Sequence, residues 1–169
     1  MRILISGATG FVGRALSRHL LGKGDEVWVL SRRPAQALAS LEVGRAFAWD
    51  AATYEPPSEA FEDVDAVIHL AGESVVGRWT AAKREAIRAS RVDSTQLLVA
   101  AMANLAKRPN TLISASAIGY YGEKGEAEVT EDSPPDNDFQ GQVAIAWEAA
   151  ALRAERSGVR VVCLRTGII

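Results

Sequence analysis

Three glycines near the N-terminus have the spacing of a phosphate-binding turn. Gly7, Gly10 and Gly13 lie in the segment SGATGFVG (6–13), between an apolar run and an amphipathic stretch. In such a turn the first glycine permits the tight bend, the second lets the backbone approach a pyrophosphate, and the third lets the helix pack closely on the strand. The helix N-terminus then attracts the anion through its free N–H groups. Because a strand precedes the turn and a helix follows it, a dinucleotide site is favoured over a turn without a ligand.

A hydroxyl and two guanidiniums follow the second apolar run, about twenty residues beyond the glycines. In dinucleotide folds an acidic residue at this place binds the ribose 2′-OH, whereas Arg accommodates a 2′-phosphate. Here the run ends in Ser31, Arg32 and Arg33, with no carboxylate. On their own these would be ordinary surface residues. Because Arg makes charge-assisted, often bidentate contacts with phosphate, the two guanidiniums beside a glycine turn predict NADP rather than NAD.

A sheet must bring these strand ends together. Short apolar runs rich in β-branched residues alternate with longer amphipathic stretches, which is typical of βαβ units and a parallel sheet. Several runs are apolar at every position, so both faces of the sheet must be covered. The predicted fold class is α/β, a doubly wound, three-layer Rossmann fold with strand order 3-2-1-4-5-6. The six strands are expected near 2–6, 26–30, 45–49, 66–70, 111–115 and 159–164.

Helices are predicted between these strands. The first follows the glycine turn and ends at Gly22 and Gly24, the longest runs from about 80 to 106, and the last from about 139 to 156. A long loop, 116–138, separates the fifth strand from the last helix. Loops longer than about 12 to 15 residues are uncommon in compact domains and are often functional.

Composition and charge describe one ordinary globular domain. The chain has 169 residues, of which 48% are hydrophobic, with 19 Lys+Arg against 21 Asp+Glu and a net charge of −2. A chain of this length can bury a hydrophobic core without disulfide bonds or a structural metal. Its near-neutral net charge gives no reason to expect nucleic acid as a partner. The apolar runs are too short to span a membrane, and without a signal-peptide cleavage site a cytoplasmic location is expected. The single cysteine excludes an internal disulfide and a multi-Cys metal site, so no metal is expected.

Several other side chains with reactive or polar groups are expected to be structural. His69 precedes a glycine-containing loop, and His19 is expected on the inner side of the first helix. Cys163 lies in an apolar strand and is expected to be an inert buried thiol. The four tryptophans are expected in the core or in an interface.

Further motifs along the chain carry a family signature. The glycine spacing is G-x-x-G-x-x-G, and it is followed by HLAGE at 69–73, SRVDST at 90–95, SASAIGYYG at 114–122 and WEAA at 147–150. Together these segments resemble the extended short-chain dehydrogenase/reductases, in an atypical subgroup of sugar-nucleotide epimerase-like proteins. The resemblance covers essentially the whole chain.

The resemblance implies further cofactor contacts. Asp50, after the third strand, is expected near the adenine, and residues 70–73 beside the ribose and pyrophosphate, where small residues allow close backbone approach. It also implies a small-molecule substrate such as a nucleotide sugar, and it leaves a homodimer open. The predicted cofactor site comprises Gly7, Thr9, Gly10, Phe11, Val12, Gly13, Ser31, Arg32, Arg33, Asp50, Leu70, Ala71, Gly72 and Glu73.

The catalytic residues implied by the resemblance are incomplete. The family uses Ser or Thr after the fifth strand, and Tyr with Lys four residues later on the following helix. Here that helix has Gln140 and Ala144 at the two expected positions. Ser116 stands at the strand exit, where a turn-forming role is an equal alternative. Tyr120 has a lysine four residues later, but the glycines around it disfavour a helix, so we treat the spacing mainly as coincidence. Ser116, Tyr120 and Tyr121 form the catalytic hypothesis.

Two functions are compatible with these motifs. The first is an NADP-dependent oxidoreductase or epimerase that moves hydride between the nicotinamide and a carbinol or carbonyl carbon. The second is a non-catalytic NADP-binding sensor, which needs no Tyr-Lys pair. A methyltransferase is disfavoured, because its site usually has an acid where Arg32 and Arg33 stand. Family members continue beyond a segment like 165–167, so residues 1–169 are expected to be the NADP-binding domain, without the family's C-terminal substrate lobe.

Overall fold

The sheet has six parallel strands in the order β3-β2-β1-β4-β5-β6, which confirms the predicted Rossmann topology. The computed structural model describes residues 1–51 and 53–167. Each strand lies within about two residues of its predicted position. The strands are β1 (Arg2–Ser6), β2 (Glu26–Ser31), β3 (Arg45–Ala48), β4 (Ala66–His69), β5 (Thr111–Ala117) and β6 (Arg160–Thr166).

Helices cover both faces of this sheet. Single-turn 3₁₀ segments at Ser58–Phe61, Ile118–Tyr120 and Arg153–Ser157 supplement them, and the last of these extends the final helix. A short helix after β2, which was not predicted from the sequence, begins with proline at its first position. The α-helices are α1 (Phe11–Gly22), α2 (Pro34–Ser40), α3 (Ala81–Ala89), α4 (Val92–Ala103) and α5 (Phe139–Leu152).

The single long helix predicted over 80–106 is wrong, because α3 and α4 are separated at Ser90 and Arg91. The Ser90 hydroxyl donates to the Ile87 carbonyl and accepts the Glu73 N–H. Thr95 donates its hydroxyl back to the Arg91 carbonyl. Hydroxyl side chains that bond to nearby backbone compete with regular helix bonds, which explains the break.

Two hydrophobic clusters lie on opposite faces of the sheet, as expected for strands that are apolar throughout. Ile3 and Ile5 face the cluster under α1 and α2, whereas Leu4 faces the cluster under α4 and α5. The second cluster includes Leu98 from α4 and Ala151 from α5. The carboxyl ends of the strands are therefore held between two helical layers, at the edge where ligands bind in open α/β sheets.

Some structural expectations need correction. His19 is exposed on α1 rather than turned inward. Cys163 is half-buried on the edge strand β6 rather than fully buried, although burial still raises the pKa of its thiol to about 11 and keeps it protonated near neutral pH. Trp28, Trp49 and Trp147 lie in the core, as predicted.

Among residues 1–51 and 53–167, no helix has the length and apolar character needed to cross a membrane. The same described residues contain no group of three or more side chains that could hold a metal ion.

Candidate functional site

The glycine turn packs backbone to backbone against the loop that leaves β4. Gly7 has a φ of +76°, and a Cβ atom there would lie 2.7 Å from the Leu70 carbonyl carbon. A Cβ on Gly13 would lie 2.6 Å from the Ala8 Cα and closer still to the Gly7 carbonyl oxygen. Real Cβ atoms do not approach backbone this closely, so both positions require glycine. The turn and the β4 exit loop therefore form one surface.

The N-terminus of α1 is open to an anion. Gly10 is the N-cap, no side chain caps the helix, and the first turn has no acidic residue. Phe11 and Val12 are exposed beside it. The first-turn N–H groups and the positive end of the helix dipole are thus available to a phosphate group.

A cavity of about 210 Å³ adjoins this turn on the β2 side. Among the described residues, neither Arg32 nor Arg33 forms a salt bridge. The Arg33 N–H donates to the Ser31 hydroxyl oxygen (3.1 Å), which leaves the hydroxyl proton able to donate. The structure therefore brings the predicted cationic segment to the glycine turn. The cavity is lined by Thr9, Ser31, Arg32, Arg33 and Gln36, the last on α2 and not among the predicted residues.

The β4 exit loop, 70–73, is fixed on both sides. The Leu70 N–H donates to the Ser6 carbonyl (3.1 Å), and the Glu73 N–H donates to the Ser90 hydroxyl (2.9 Å). The Glu73 carboxylate pairs with the Lys83 ammonium (2.6 Å), and this hydrogen bond holds the pKa of Glu73 below its usual range. Asp50 follows β3 at the same carboxyl edge, where its carbonyl accepts the Thr53 N–H (3.0 Å).

A buried chain of hydrogen bonds lies under this loop. Ser94 donates to the Ser90 carbonyl (2.6 Å), so it accepts from His69 Nε2 (3.2 Å). Ser6 then donates to His69 Nδ1 (2.6 Å) and accepts the Ala71 N–H (3.4 Å). Every donor in the chain has an acceptor when the His69 proton is on Nε2. Burial lowers the pKa of His69 to about 4, which keeps the ring neutral and structural, as predicted.

Neutral His69 makes stability depend on pH. Its pKa is about 4 in the folded state and about 6.5 in the unfolded chain. Between these values the unfolded chain binds a proton that the fold excludes, so stability is full above pH 6.5 and falls as the pH drops towards 4. We expect a total loss on the order of 3 kcal/mol. Urea unfolding from pH 7.5 to 4.5 measures it.

The matched variants are His69→Gln and His19→Gln. His69→Gln is expected to be less stable at pH 7.5 and to lose most of the slope between pH 6.5 and 4.5. His19→Gln changes an exposed ring and is expected to keep the parent slope. An unchanged slope in His69→Gln would contradict the assignment.

The three residues of the catalytic hypothesis meet around an ion pair that sequence reasoning missed. Arg165 donates from Nε and Nη2 to the two Glu148 carboxylate oxygens (2.8 and 2.8 Å). Its Nη1 donates to the Tyr121 hydroxyl (2.7 Å), and its Cζ lies 3.6 Å from the Tyr120 ring centroid. Ser116 donates to Glu148 Oε1 (2.6 Å). We call these five residues the Arg165 cluster. Its one sequence signal is Glu148, the single charged residue in α5.

The hydrogen bonds of the Arg165 cluster limit which of its hydroxyl groups can donate a proton to a substrate. Because Ser116 gives its proton to Glu148, its oxygen can only accept further hydrogen bonds in this arrangement. Tyr121 is buried, whereas Tyr120 is partly exposed. Burial alone would raise the pKa of Glu148, but hydrogen bonds from Arg165 and Ser116 outweigh it and hold that pKa below its usual range. The catalytic roles stay a prediction.

The α5 positions expected for the Tyr-Lys pair lie near the loop that follows β5. Gln140 packs on Gly119, with its Cβ 3.2 Å from where a Gly119 Cβ would be, and Ala144 is buried. Asp138 caps the helix by accepting the Gly141 N–H (2.7 Å). α5 therefore lies beside the loop that follows β5, but it contributes neither a phenol nor an ammonium group.

Comparison with protein families matches residues 3–168 to the NAD dependent epimerase/dehydratase family. The chain belongs to this family. Membership in the NAD dependent epimerase/dehydratase family confirms the resemblance based on the motifs.

Individual family members give the same assignment. Epimerase family protein YfhF of Bacillus subtilis is 34% identical over 170 residues, covering 100% of this chain and 55% of that protein. The crystal structure of human epimerase family protein SDR39U1 with NADPH superposes with a TM-score of 0.78 at 31% identity, over 98% of this chain and 53% of that one. UDP-glucuronic acid 4-epimerase from Bacillus cereus, with UDP-glucuronic acid and NAD, gives 0.80 at 26%, over 98% and 56%. The chain spans about half the length of the curated relatives it matches.

Proposed function

We propose that the chain binds NADP(H) at the glycine turn, with the 2′-phosphate held by Ser31, Arg32 and Arg33. The observation that carries this proposal is the cavity beside the turn, which is lined by two arginines that form no salt bridge among the described residues. A 2′-phosphate supplies the missing negative charge, whereas a bare ribose hydroxyl does not. The NADPH in the human relative supports this choice, and the NAD in the Bacillus cereus enzyme makes cofactor preference the point to test.

NADPH is expected to bind this chain at least tenfold more tightly than NADH, because each charged hydrogen bond to phosphate contributes about 1.5 to 3 kcal/mol. Replacing Arg32 and Arg33 with Ala should weaken NADPH binding and leave NADH nearly unchanged. Fluorescence titration with both cofactors measures the two affinities. The matched control replaces Arg153 and Arg156, two exposed arginines on the 3₁₀ segment before β6. Equal affinity of the parent protein for NADPH and NADH would refute the assignment.

We further propose that the protein containing this chain transfers hydride between the nicotinamide and a small carbonyl or carbinol substrate. A nucleotide sugar is the substrate class favoured by the relative that binds UDP-glucuronic acid. Ser116, Tyr120 and Tyr121 are the candidate catalytic residues, at the carboxyl ends of β5 and β6. A cytoplasmic location and a homodimer stay predictions.

A non-catalytic NADP(H) sensor is the second candidate. It is favoured by the lack of the Tyr-Lys pair in α5 and by the engagement of the Ser116 proton with Glu148. Nicotinamide absorbance reports hydride transfer from NADPH to carbonyl compounds and from carbinols such as UDP-sugars to NADP+, and chromatography of the UDP-sugars detects epimerisation, which leaves the cofactor unchanged. Turnover in either assay that is lost in a Tyr120→Phe/Tyr121→Phe variant supports the enzyme and these roles. Tight NADPH binding with neither hydride transfer nor epimerisation supports the sensor.

A further inference from the structure

His69 is a buried imidazole whose two nitrogens bond to serines from two different elements. Its Nδ1 accepts the Ser6 hydroxyl of β1 (2.6 Å), and its Nε2 donates to the Ser94 hydroxyl of α4 (3.2 Å). All three side chains are at most 1% exposed. The Trp49 ring packs beside the imidazole, with 5.9 Å between the two ring centroids. Because the imidazole is packed on its face and bonded at both nitrogens, its orientation between β1 and α4 is fixed.

The hydrogen bonds through this imidazole all run in one direction. The Ala71 N–H donates to the Ser6 hydroxyl oxygen (3.4 Å), and Ser94 donates to the Ser90 carbonyl (2.6 Å). With the imidazole proton on Nε2, every donor points from the β4 exit loop towards the junction of α3 and α4. Hydrogen bonds aligned in this way polarise and strengthen one another. We call this series the His69 chain, and its members in order are Ala71, Ser6, His69, Ser94 and Ser90.

Both ends of the His69 chain return to the β4 exit loop. One end is the Ala71 N–H, and at the other end the Ser90 hydroxyl accepts the Glu73 N–H (2.9 Å). A Cβ built on Gly7 would lie 2.8 Å from the Ala71 nitrogen, so the glycine turn packs on the same backbone. The chain thus connects the glycine turn, the exit loop and the start of α4 on their buried side.

We propose that His69 is a positioning residue of the nucleotide cleft, which holds the backbone of residues 70–73 in the conformation that receives the dinucleotide. The imidazole is fully buried, so its effect on a ligand must pass through the loop. A neutral imidazole suits this place because it has one acceptor and one donor on opposite sides of a rigid ring. The proposal rests on the proposed function, because the loop belongs to the proposed cofactor site.

The serine hydroxyls on either side of the imidazole provide the test. Ser6→Ala and Ser94→Ala each break the His69 chain. Ser17→Ala is the matched control, because its buried hydroxyl on α1 makes no hydrogen bond within the described part of the protein. Calorimetric titration measures the affinity of each variant for NADPH and for 2′-AMP. Thermal melts verify that each variant is folded.

The two ligands separate a positioning effect from a general loss of structure. None of the described residues that line the cavity proposed for the 2′-phosphate belongs to the β4 exit loop. Ser6→Ala and Ser94→Ala are therefore each expected to weaken NADPH binding about fivefold, the contribution of one hydrogen bond, and to leave 2′-AMP within about twofold. Ser17→Ala should keep both affinities. Because both serines act through one chain, the double variant should lose much less than the product of the single losses.

Three results would overturn the positioning role. The first is a folded Ser6→Ala or Ser94→Ala variant that binds NADPH as the parent protein does. The second is an equal loss of NADPH and 2′-AMP binding, and the third is a double variant that shows the full product of the single losses.

Nuclear magnetic resonance of the parent protein tests the same proposal without altering the chain. The sequence has two histidines, so His19→Gln assigns the imidazole ¹⁵N and ¹H resonances. We expect the His69 proton on Nε2 at pH 7.5, and we expect the His69 resonances to shift when NADPH, but not 2′-AMP, is added. A proton on Nδ1, or His69 resonances that are unchanged at saturating NADPH, would contradict the proposal.

The parent titrations distinguish this proposal from the proposed function. A parent protein that binds no NADPH would refute the proposed function, and the positioning role with it. Equal parent affinity for NADPH and NADH would refute only the proposed cofactor preference. NADPH binding that is insensitive to the serine variants would refute the positioning role alone.

Discussion

Gly13→Ala is expected to destabilise the fold by about 3 kcal/mol and to abolish dinucleotide binding. The new Cβ would lie 2.6 Å from the Ala8 Cα and closer to the Gly7 carbonyl oxygen. Both neighbours are backbone atoms of the proposed phosphate-binding turn, so they cannot move without opening it. The clash outweighs the gain in helix propensity of about 1 kcal/mol that Ala brings. Urea unfolding and NADPH titration measure the two effects.

Gly22 provides the matched control on the same helix. A Cβ at Gly22 meets no atom within 4 Å, and its backbone is helical. Gly22→Ala is therefore expected to stabilise the protein by up to about 1 kcal/mol and to leave cofactor binding unchanged. Similar stability of the two variants would show that the turn adapts and that the close packing at Gly13 is dispensable.

Breaking the Arg165 cluster is expected to have an effect of similar size. Arg165→Met leaves the Glu148 carboxylate with only the Ser116 hydroxyl as a donor, and because Arg165 is partly exposed the expected cost is about 3 kcal/mol, the low end of the range for buried pairs. Arg165 also bonds the Tyr121 hydroxyl and the Glu131 carbonyl (2.9 Å), so the 118–131 segment should lose amide hydrogen-exchange protection. Unfolding free energies and hydrogen exchange measure these changes.

The double variant Arg165→Met/Glu148→Leu distinguishes charge burial from lost packing. Because it removes both charges, it should be more stable than Arg165→Met alone. Lys107→Met is the control, since its ion pair with Asp63 is exposed and should contribute little to stability. If Arg165→Met costs no more than Lys107→Met, the cluster does not hold the loop.

The parts of the site that were predictable depend on local sequence. The glycine turn and the Ser31-Arg32-Arg33 segment each lie at one strand end, so strand periodicity and counting along the chain were enough to place them together. The doubly wound sheet followed from the alternation of strands and helices, and the strand order was that of the dinucleotide-binding fold that the glycine turn indicates.

The parts that were missed depend on residues far apart in the sequence. Ser116, Glu148 and Arg165 come from β5, α5 and β6, and no spacing rule relates them. The break at Ser90 was missed because hydroxyl bonds to backbone carbonyls, rather than a proline or glycine, interrupt the helix.

The backbone contact between Gly7 and the β4 exit loop also means that the glycine turn cannot keep its conformation in a short N-terminal fragment. The GATGFVG motif ends at residue 13, yet its bend rests on Leu70 and Ala71, and β1 pairs with β4 from Ile3 to Ser6. A peptide of the first 50 residues would contain the three glycines of the motif together with Arg32 and Arg33. It would lack Leu70 and Ala71, against which the turn packs. A nascent chain would therefore form the proposed nucleotide site only after β4 has left the ribosome.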